Sequence, residues 1–337
     1  MILYNCPMRI GIYGAGAIGG HLAAKLASAG HEVSAVARGA NLLALQTNGA
    51  VLRHGDEVIR GKVRAAEDPS SLGPQDAVIV TVKATALHQV ADKIPALLKD
   101  DTPVVFAQNG IPWWYDLGLS KERPRPPDLS RLDPGGALRK RIAPERIVGG
   151  IVYSANVVVE PGVVENYTPG RNMLTLGAAN DGSFPALKIL REILTAAGMH
   201  SPECSDIRQA IWSKLLLNLS TSTLCLLSGG TVGEVRGDPH LGRVIERIDA
   251  EGRAIARAHG IDPAGAPQRP GGGHGSGPIG HRPSMVQDYE LGRPMEVEAQ
   301  LVTPLAFGRA AGVPTPTLDA LVALVAHRAA AKRLYSR

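Results

Sequence analysis

Short apolar runs bounded by polar or glycine-rich positions recur through the first hundred residues, at 8–13, 32–37, 76–82 and 103–106. Their length and β-branched content predict buried strands, whereas 17–29 and 85–98 repeat apolar positions at helical spacing. Strands alternating with helices of this size predict βαβ units in a parallel sheet with right-handed crossovers. Residues 147–177 read differently, as β-rich pieces separated by Pro-Gly turns, which predicts an antiparallel extension. A helix over about 185–198 and a short run at 199–204 close this unit.

From residue 205 the pattern turns helical, with long periodic stretches at 206–228, 239–259, 284–311 and 316–333. One segment interrupts them: 262–283 holds seven Gly and five Pro, a composition that cannot keep a helix and predicts a mobile loop, a candidate lid. The expected fold class is therefore α/β plus all-α. An α/β domain at 8–204, carrying a Pro/Arg-rich insertion at about 117–146, precedes a helical domain at 205–337. The sheet pattern begins at Met8, which makes Met8 a second candidate start.

Composition narrows the function classes. The chain has 337 residues, 44% hydrophobic and 20% charged, which is globular stock and too apolar for a disordered chain. No uninterrupted apolar run reaches the ~20 residues of a membrane span, and the first residues carry no secretory signal pattern. Cys6, Cys204 and Cys225 are widely spaced and odd in number, which fits a reducing compartment, the cytoplasm, and argues against a disulfide framework or a cysteine-based metal site. The net charge of +5 is concentrated: residues 121–146 hold eight Lys/Arg and four Asp/Glu, so +4 sits in the insertion, and a solvated loop explains it better than a nucleic-acid face.

Candidate chemistry begins at the first strand end. Gly14-Ala15-Gly16-Ala17-Ile18-Gly19 follows a strand and opens a helix. That is the setting in which a first glycine makes the tight turn, a second admits a pyrophosphate and a third lets helix and strand pack closely. The pyrophosphate meets the free N–H groups of the helix start. About 20 residues on, where an acidic residue would hold a ribose 2′-hydroxyl, the chain offers Arg38, a cation suited to a 2′-phosphate, so NADP (as NADPH) is the expected cofactor. Lys83 and Asn109 lie at two further strand ends facing the same crevice, although Asn109-Gly110 is also ordinary turn chemistry.

Between Arg208 and Glu234 the only formally charged residue is Lys214. Lys214, Asn218 and Ser222 repeat every fourth residue and form a polar stripe on an otherwise apolar helix. A desolvated lysine has a lowered pKa and can act as a general acid near neutrality, and the alternative is a lysine snorkelling to the helix edge. A second polar cluster holds Ser284, Asp288, Glu296 and Glu298. The two glutamates are two residues apart, which predicts one pointing inward and one to water, with Pro294 in the first turn of their helix.

These parts together resemble the ketopantoate reductase (2-dehydropantoate 2-reductase) family, in order and over nearly the whole length. The matching elements are GAGAIG, Arg38, VTVKA with Lys83, QNG with Asn109, IWSKLLLN with Lys214 and Asn218, and SMVQDYELGRPMEVE with Ser284 and Glu296. The resemblance implies a Rossmann domain joined to a helical domain like that of 6-phosphogluconate dehydrogenase. It implies NADPH-dependent reduction of a small oxo acid, 2-dehydropantoate, to (R)-pantoate in pantothenate and coenzyme A synthesis. The sequence does not give the oligomeric state, and a homodimer is one option. By the same carry-over, Lys214 donates the proton and Glu296 holds the substrate hydroxyl. Asn109, Asn218, Ser222 and Ser284 position substrate, while Gly14, Gly16, Ala17, Ile18, Gly19, Arg38, Lys83 and Asn109 hold the cofactor. Two departures keep another 2-oxo or 3-hydroxy acid open as substrate. Ser222 stands where the family commonly has a second asparagine, and Trp113-Trp114 follows QNG, either walling the site or anchoring the insertion. A non-catalytic NADP-sensing protein is the remaining reading, disfavoured by the presence of both Lys214 and Glu296.

Overall fold

A computed structural model of the chain describes residues 6–180, 184–270 and 280–336. Strand β1 (Arg9–Tyr13), helix α1 (Ala17–Ser28) and strand β2 (Glu32–Val36) form the first βαβ unit, in the expected places. Helix α2 (Gly39–Asn48) and strands β3 (Ala50–His54), β4 (Glu57–Gly61) and β5 (Val63–Ala66) then fill a stretch for which no periodicity stood out. Strand β6 (Ala77–Val80) and strand β7 (Val104–Phe106) match the expected apolar runs. The helix expected at 85–98 is instead broken. A 3-10 turn at Ala84–Ala86, one turn of α3 (Leu87–Val90) and a second 3-10 turn at Ile94–Leu97 replace it. Pro95 lies in the last of these and has no N–H to continue a helix.

The β-rich stretch resolves into β8 (Ile147–Tyr153), β9 (Asn156–Glu160), β10 (Val163–Asn166) and β11 (Met173–Ala178), with α4 (Ala186–Ala196) after it. Seven strands make the main sheet in the order β11-β8-β7-β6-β1-β2-β5, parallel throughout except for the antiparallel edge β11. The expected antiparallel extension is only partly in that sheet: β9 and β10 leave it to join a four-stranded sheet ordered β4-β3-β10-β9. Small residues let α1 lie close to this second sheet. A side chain at Gly20 would meet Val164 at 2.8 Å, and one at Gly61 would meet the Ala27 methyl at 2.6 Å.

The helical half comprises α5 (Ile207–Ser228), α6 (Val232–Gly237), α7 (Pro239–Ala258), α8 (Ser284–Glu290), a π-turn at Glu298–Val302 running into α9 (Thr303–Ala310), and α10 (Pro316–Ala331). By length and composition α5 could cross a membrane, but 72% of its most apolar stretch is buried inside the protein, as in a core helix. The single helix expected at 284–311 is interrupted: Gly292 takes a left-handed φ of 64° after α8. The connection is then held by the Met295 N–H donating to Leu334 O at 2.9 Å. Pro294 therefore precedes the helix rather than lying in its first turn. Of the 262–283 loop, residues 271–279 lie outside the described residues. The part before them is not loose, since Pro263 and Ala266 are buried against the core.

The basic insertion is not the solvated loop its composition suggests. Leu129, Leu132, Leu138 and Ile142 are buried, and several of its cations are engaged: Arg123 with Asp206 at 2.8 Å, Arg131 with Glu298 at 3.0 Å and Arg139 with Asp116 at 2.5 Å. Trp113 and Trp114 are 2% and 1% exposed and anchor this packing. Trp113 meets Phe106 edge to face with centroids 5.2 Å apart, and Trp114 fills the space left open by Gly149 on β8. Arg208, 1% exposed, donates to the carbonyls of Tyr115, Leu117 and Ala179, fixing the start of α5 to the same segment. One apolar cluster thus runs from the sheet through the insertion into the helices.

Candidate active site

At the C-terminal edge of the main sheet the glycine loop has the shape a dinucleotide requires. Gly14 has φ 99°, a conformation open to glycine, and the carbonyl it presents accepts from the Thr81 hydroxyl at 2.5 Å. A side chain at Gly19 would sit 2.1 Å from that same carbonyl, so only glycine lets α1 approach β1 here. At Gly16 nothing lies within 4 Å of where a side chain would be. Gly16 caps α1 without any side-chain hydrogen bond, so Ala17 and Ile18 begin a helix whose first N–H groups face that opening. The chain thus fits a pyrophosphate at this position. Gly16→Ala should leave the thermal midpoint within ~1 °C, because it buries nothing and adds no clash, yet weaken dinucleotide binding by about tenfold or more. Fluorescence titration of NADPH beside a melting curve checks both. Arg38 caps α2 at the end of β2 and is exposed.

Across the crevice, α5 carries Lys214, Asn218 and Ser222 along one face. The Lys214 ammonium donates to the Val152 carbonyl at the end of β8 and lies 4.6 Å from the Tyr153 ring centre. Its pKa is lowered to about 8, by desolvation first and by the Arg269 guanidinium second, with Glu296 opposing both. Asn218 Nδ2 donates to Gln300 Oε1 at 3.2 Å, and Gln300 Nε2 donates to Glu296 Oε2 at 3.2 Å. Glu296, 6% exposed, also accepts from the Ala84 N–H at 2.9 Å and is hydrogen-bonded by the Asn109 side chain. Burial raises its carboxyl above the usual carboxylate range, against the pull of these donors and of Lys83.

Of the residues singled out from sequence, Asn218, Asn109 and Glu296 therefore belong to one hydrogen-bonded group, and Lys214, one turn before Asn218, interacts electrostatically with Glu296. Lys83 joins its edge through an ion pair with Asp288 at 2.5 Å. Ser222 is buried one turn beyond Asn218, and Ser284 opens α8 at an exposed position, neither joined to the group by a hydrogen bond among the described residues. Glu298 faces away from Glu296, as spacing requires, but binds Arg131 and the Tyr335 hydroxyl rather than water. Three contributors had no assigned role in the sequence reading. Gln300, four residues after Glu296 on the same face, was legible as spacing. Asp288 becomes a partner of Lys83 only through the tertiary fold. Gly110, with φ 82°, must be glycine because the Ala299 carbonyl lies 2.4 Å from the position of a side chain. This close approach sets Asn109 beside the Glu296 segment.

A hydride acceptor held between a dinucleotide loop and a half-buried ammonium is the chemistry this arrangement can serve. Family models agree with the geometry. Residues 10–119 match the ketopantoate reductase PanE/ApbA model and residues 206–329 match its C-terminal model. The chain belongs to the ketopantoate reductase family. It is 41% identical to a 2-dehydropantoate 2-reductase of Mesorhizobium japonicum, over 98% of this chain and 100% of that one. A solved structure from Ralstonia solanacearum MolK2, a candidate ketopantoate reductase, superposes with TM-score 0.83 at 33% identity, covering 98% of this chain and 100% of that chain. A D-mandelate dehydrogenase solved with NADH and anilino(oxo)acetate shares the fold at TM-score 0.79 and 22% identity, covering 97% and 100%. Within this ketopantoate reductase family fold, the helical half supplies the lysine and the sheet edge supplies the glycine loop.

Proposed function

We propose that this protein reduces the C2 ketone of 2-dehydropantoate to (R)-pantoate with NADPH, a cytoplasmic step toward pantothenate and coenzyme A. The observation that carries the reading is the hydrogen-bonded group of Asn218, Gln300, Glu296 and Asn109 with the buried Lys214 ammonium acting electrostatically on Glu296. When bound, a nicotinamide cofactor would supply the hydride. Hydride arrival leaves negative charge on the ketone oxygen, and the Lys214 ammonium neutralises it by giving up a proton. The Val152 carbonyl and the Tyr153 ring hold that ammonium in place. Glu296, fixed by the Ala84 N–H and by Gln300, is the acceptor for a substrate hydroxyl, and Asn109, Asn218, Ser222 and Ser284 position the rest. Lys83, paired with Asp288, and Arg38, exposed at the end of β2, flank the cofactor. The family relationship over both domains supports the same substrate.

Following NADPH absorbance with a panel of 2-oxo and 3-hydroxy acids tests the substrate. The highest kcat/KM is expected for 2-dehydropantoate, and preferred turnover of another acid overturns it; no turnover of any acid favours an NADP-sensing protein. Cofactor preference rests on Arg38. Arg38→Ala should raise KM for NADPH by about tenfold and leave KM for NADH nearly unchanged, the expected cost of one charge-assisted phosphate contact. Equal effects on the two cofactors would remove the basis for NADPH preference.

A further inference from the structure

The strand end that holds Lys214 is itself fastened from behind. Strand β8 ends at Tyr153, and the chain then crosses from the main sheet into β9 of the second sheet. At the crossing both backbone groups of Ala155 are gripped. Its N–H donates to the Thr168 hydroxyl at 3.0 Å, and its carbonyl accepts from the Tyr167 N–H at 2.8 Å. The Thr168 hydroxyl donates in turn to Asn172 Oδ1 at 3.1 Å. Asn166 Nδ2 donates to that same oxygen at 2.9 Å and to Asn156 Oδ1 at 2.6 Å. Asn156 Nδ2 then reaches His21 Nδ1 at 2.8 Å, on the helix that follows the glycine loop. His21, Asn166 and Asn172 are 1%, 2% and 4% exposed, so the chain runs through the interior.

A buried polar chain is costly where apolar side chains would pack, because every member must find partners, and once satisfied it fixes one arrangement. His21 shows this most plainly. Burial first and Lys25 second lower its pKa to about 3, so the ring is neutral. Its Nδ1 accepts from Asn156, which leaves the proton on Nε2, a buried atom without a hydrogen-bond partner among the described residues. The imidazole gains from its burial only through the bond to Asn156.

We propose that the chain from His21 through Asn156, Asn166 and Asn172 to Thr168 is a positioning network that holds the Val152–Tyr153 cradle of Lys214 against the dinucleotide helix. This assignment rests on the reading of Lys214 as the proton donor. The ammonium donates to the Val152 carbonyl and packs 4.6 Å from the Tyr153 ring centre. A shift of this strand end therefore changes both the aim of the ammonium and its access to water. Since α1 begins at the glycine loop, the same chain sets the spacing between the cofactor's seat and the donor.

Thr168→Val is the sharpest break, because it keeps the side-chain shape and removes the hydroxyl that holds Ala155. Loosening the cradle lets water reach the ammonium and relieves the desolvation that depresses its pKa. The titratable groups facing Lys214 are Tyr153 of β8, Arg269 of the loop after α7 and Glu296 before the π-turn, and the substitution alters none of them. NMR titration of protein carrying isotope-labelled lysine, with Lys214→Met to assign the signal, reads the effect directly. Lys214 should titrate near 8 in wild type and about one pH unit higher in Thr168→Val. Thr168→Ser keeps the hydroxyl and should return the titration to its wild-type position. With NADPH and 2-dehydropantoate, Thr168→Val should lower kcat about tenfold while KM for NADPH stays within about twofold. A Lys214 titration left in place by Thr168→Val, whatever the melting temperature does, overturns the proposal. Should Thr168→Val not fold, His21→Leu decides from the other end of the chain: the same upward move supports the network, and an unmoved titration overturns it. Because the titration needs no turnover, it separates this proposal from the reductase reading, which fails on its own if no oxo acid is reduced.

Discussion

Lys214→Met is expected to lower kcat about 10²- to 10⁴-fold with little change in KM for NADPH, the range typical for loss of a positioned general acid. Methionine keeps the apolar stem that packs along α5 and removes only the ammonium, so the fold should persist. The wild-type pH profile supplies the second part of the expectation. Lys214 titrates near 8, and in the proposed mechanism its protonated form is the donor. The kcat/KM of the wild type should therefore hold below pH ~8 and fall as pH rises through that value. In Lys214→Met the limb should disappear, leaving a slow, pH-flat rate through this range. Persistence of the limb in the variant would assign it to another group, and an unchanged kcat would remove Lys214 from the chemistry.

The lysine was legible in the sequence because its setting is improbable: the one charge between Arg208 and Glu234, in an apolar stretch with polar partners every fourth residue. The glycine loop was legible for a similar reason, since each glycine answers a local requirement, the turn at Gly14, the opening at Gly16 and the close packing at Gly19. What stayed hidden was set by contacts between distant segments. Strands β3 and β4 build a second sheet with β9 and β10, and α1 covers it through Gly20 and the Ala27 methyl, so no periodicity within 50–61 announces the sheet's existence. The 85–98 stretch carried helical spacing that Pro95 overrode. Arg269 was hidden most completely. Its Gly/Pro-rich surroundings read as loop, and only the fold lays its guanidinium over Tyr153, more than a hundred residues earlier in the chain.

The two tryptophans decide how much of the substrate question remains open. Had Trp113-Trp114 walled the pocket, a bulkier or aromatic substrate would have had a physical basis. Both are instead buried between β7, β8 and the insertion, and a side chain on Gly149 would lie 2.5 Å from the Trp114 ring. Trp114→Ala should therefore cost about 3–5 kcal/mol of stability, the usual penalty for emptying a core site of this size. The loss comes from packing, since the indole N–H has no hydrogen-bond partner among the described residues. A urea titration should show the lowered midpoint, while the fraction that folds keeps KM for both substrates. A pocket wall would give the reverse pattern, with stability nearly intact and the substrate preference altered. The insertion is fastened to the same core through Leu132, Leu138 and the Arg139–Asp116 pair, so protease cleavage within 117–146 should speed up in Trp114→Ala as well. With the tryptophans in the core, Ser222 remains as a departure one turn beyond Asn218, and it changes a hydrogen-bonding group without adding aromatic surface.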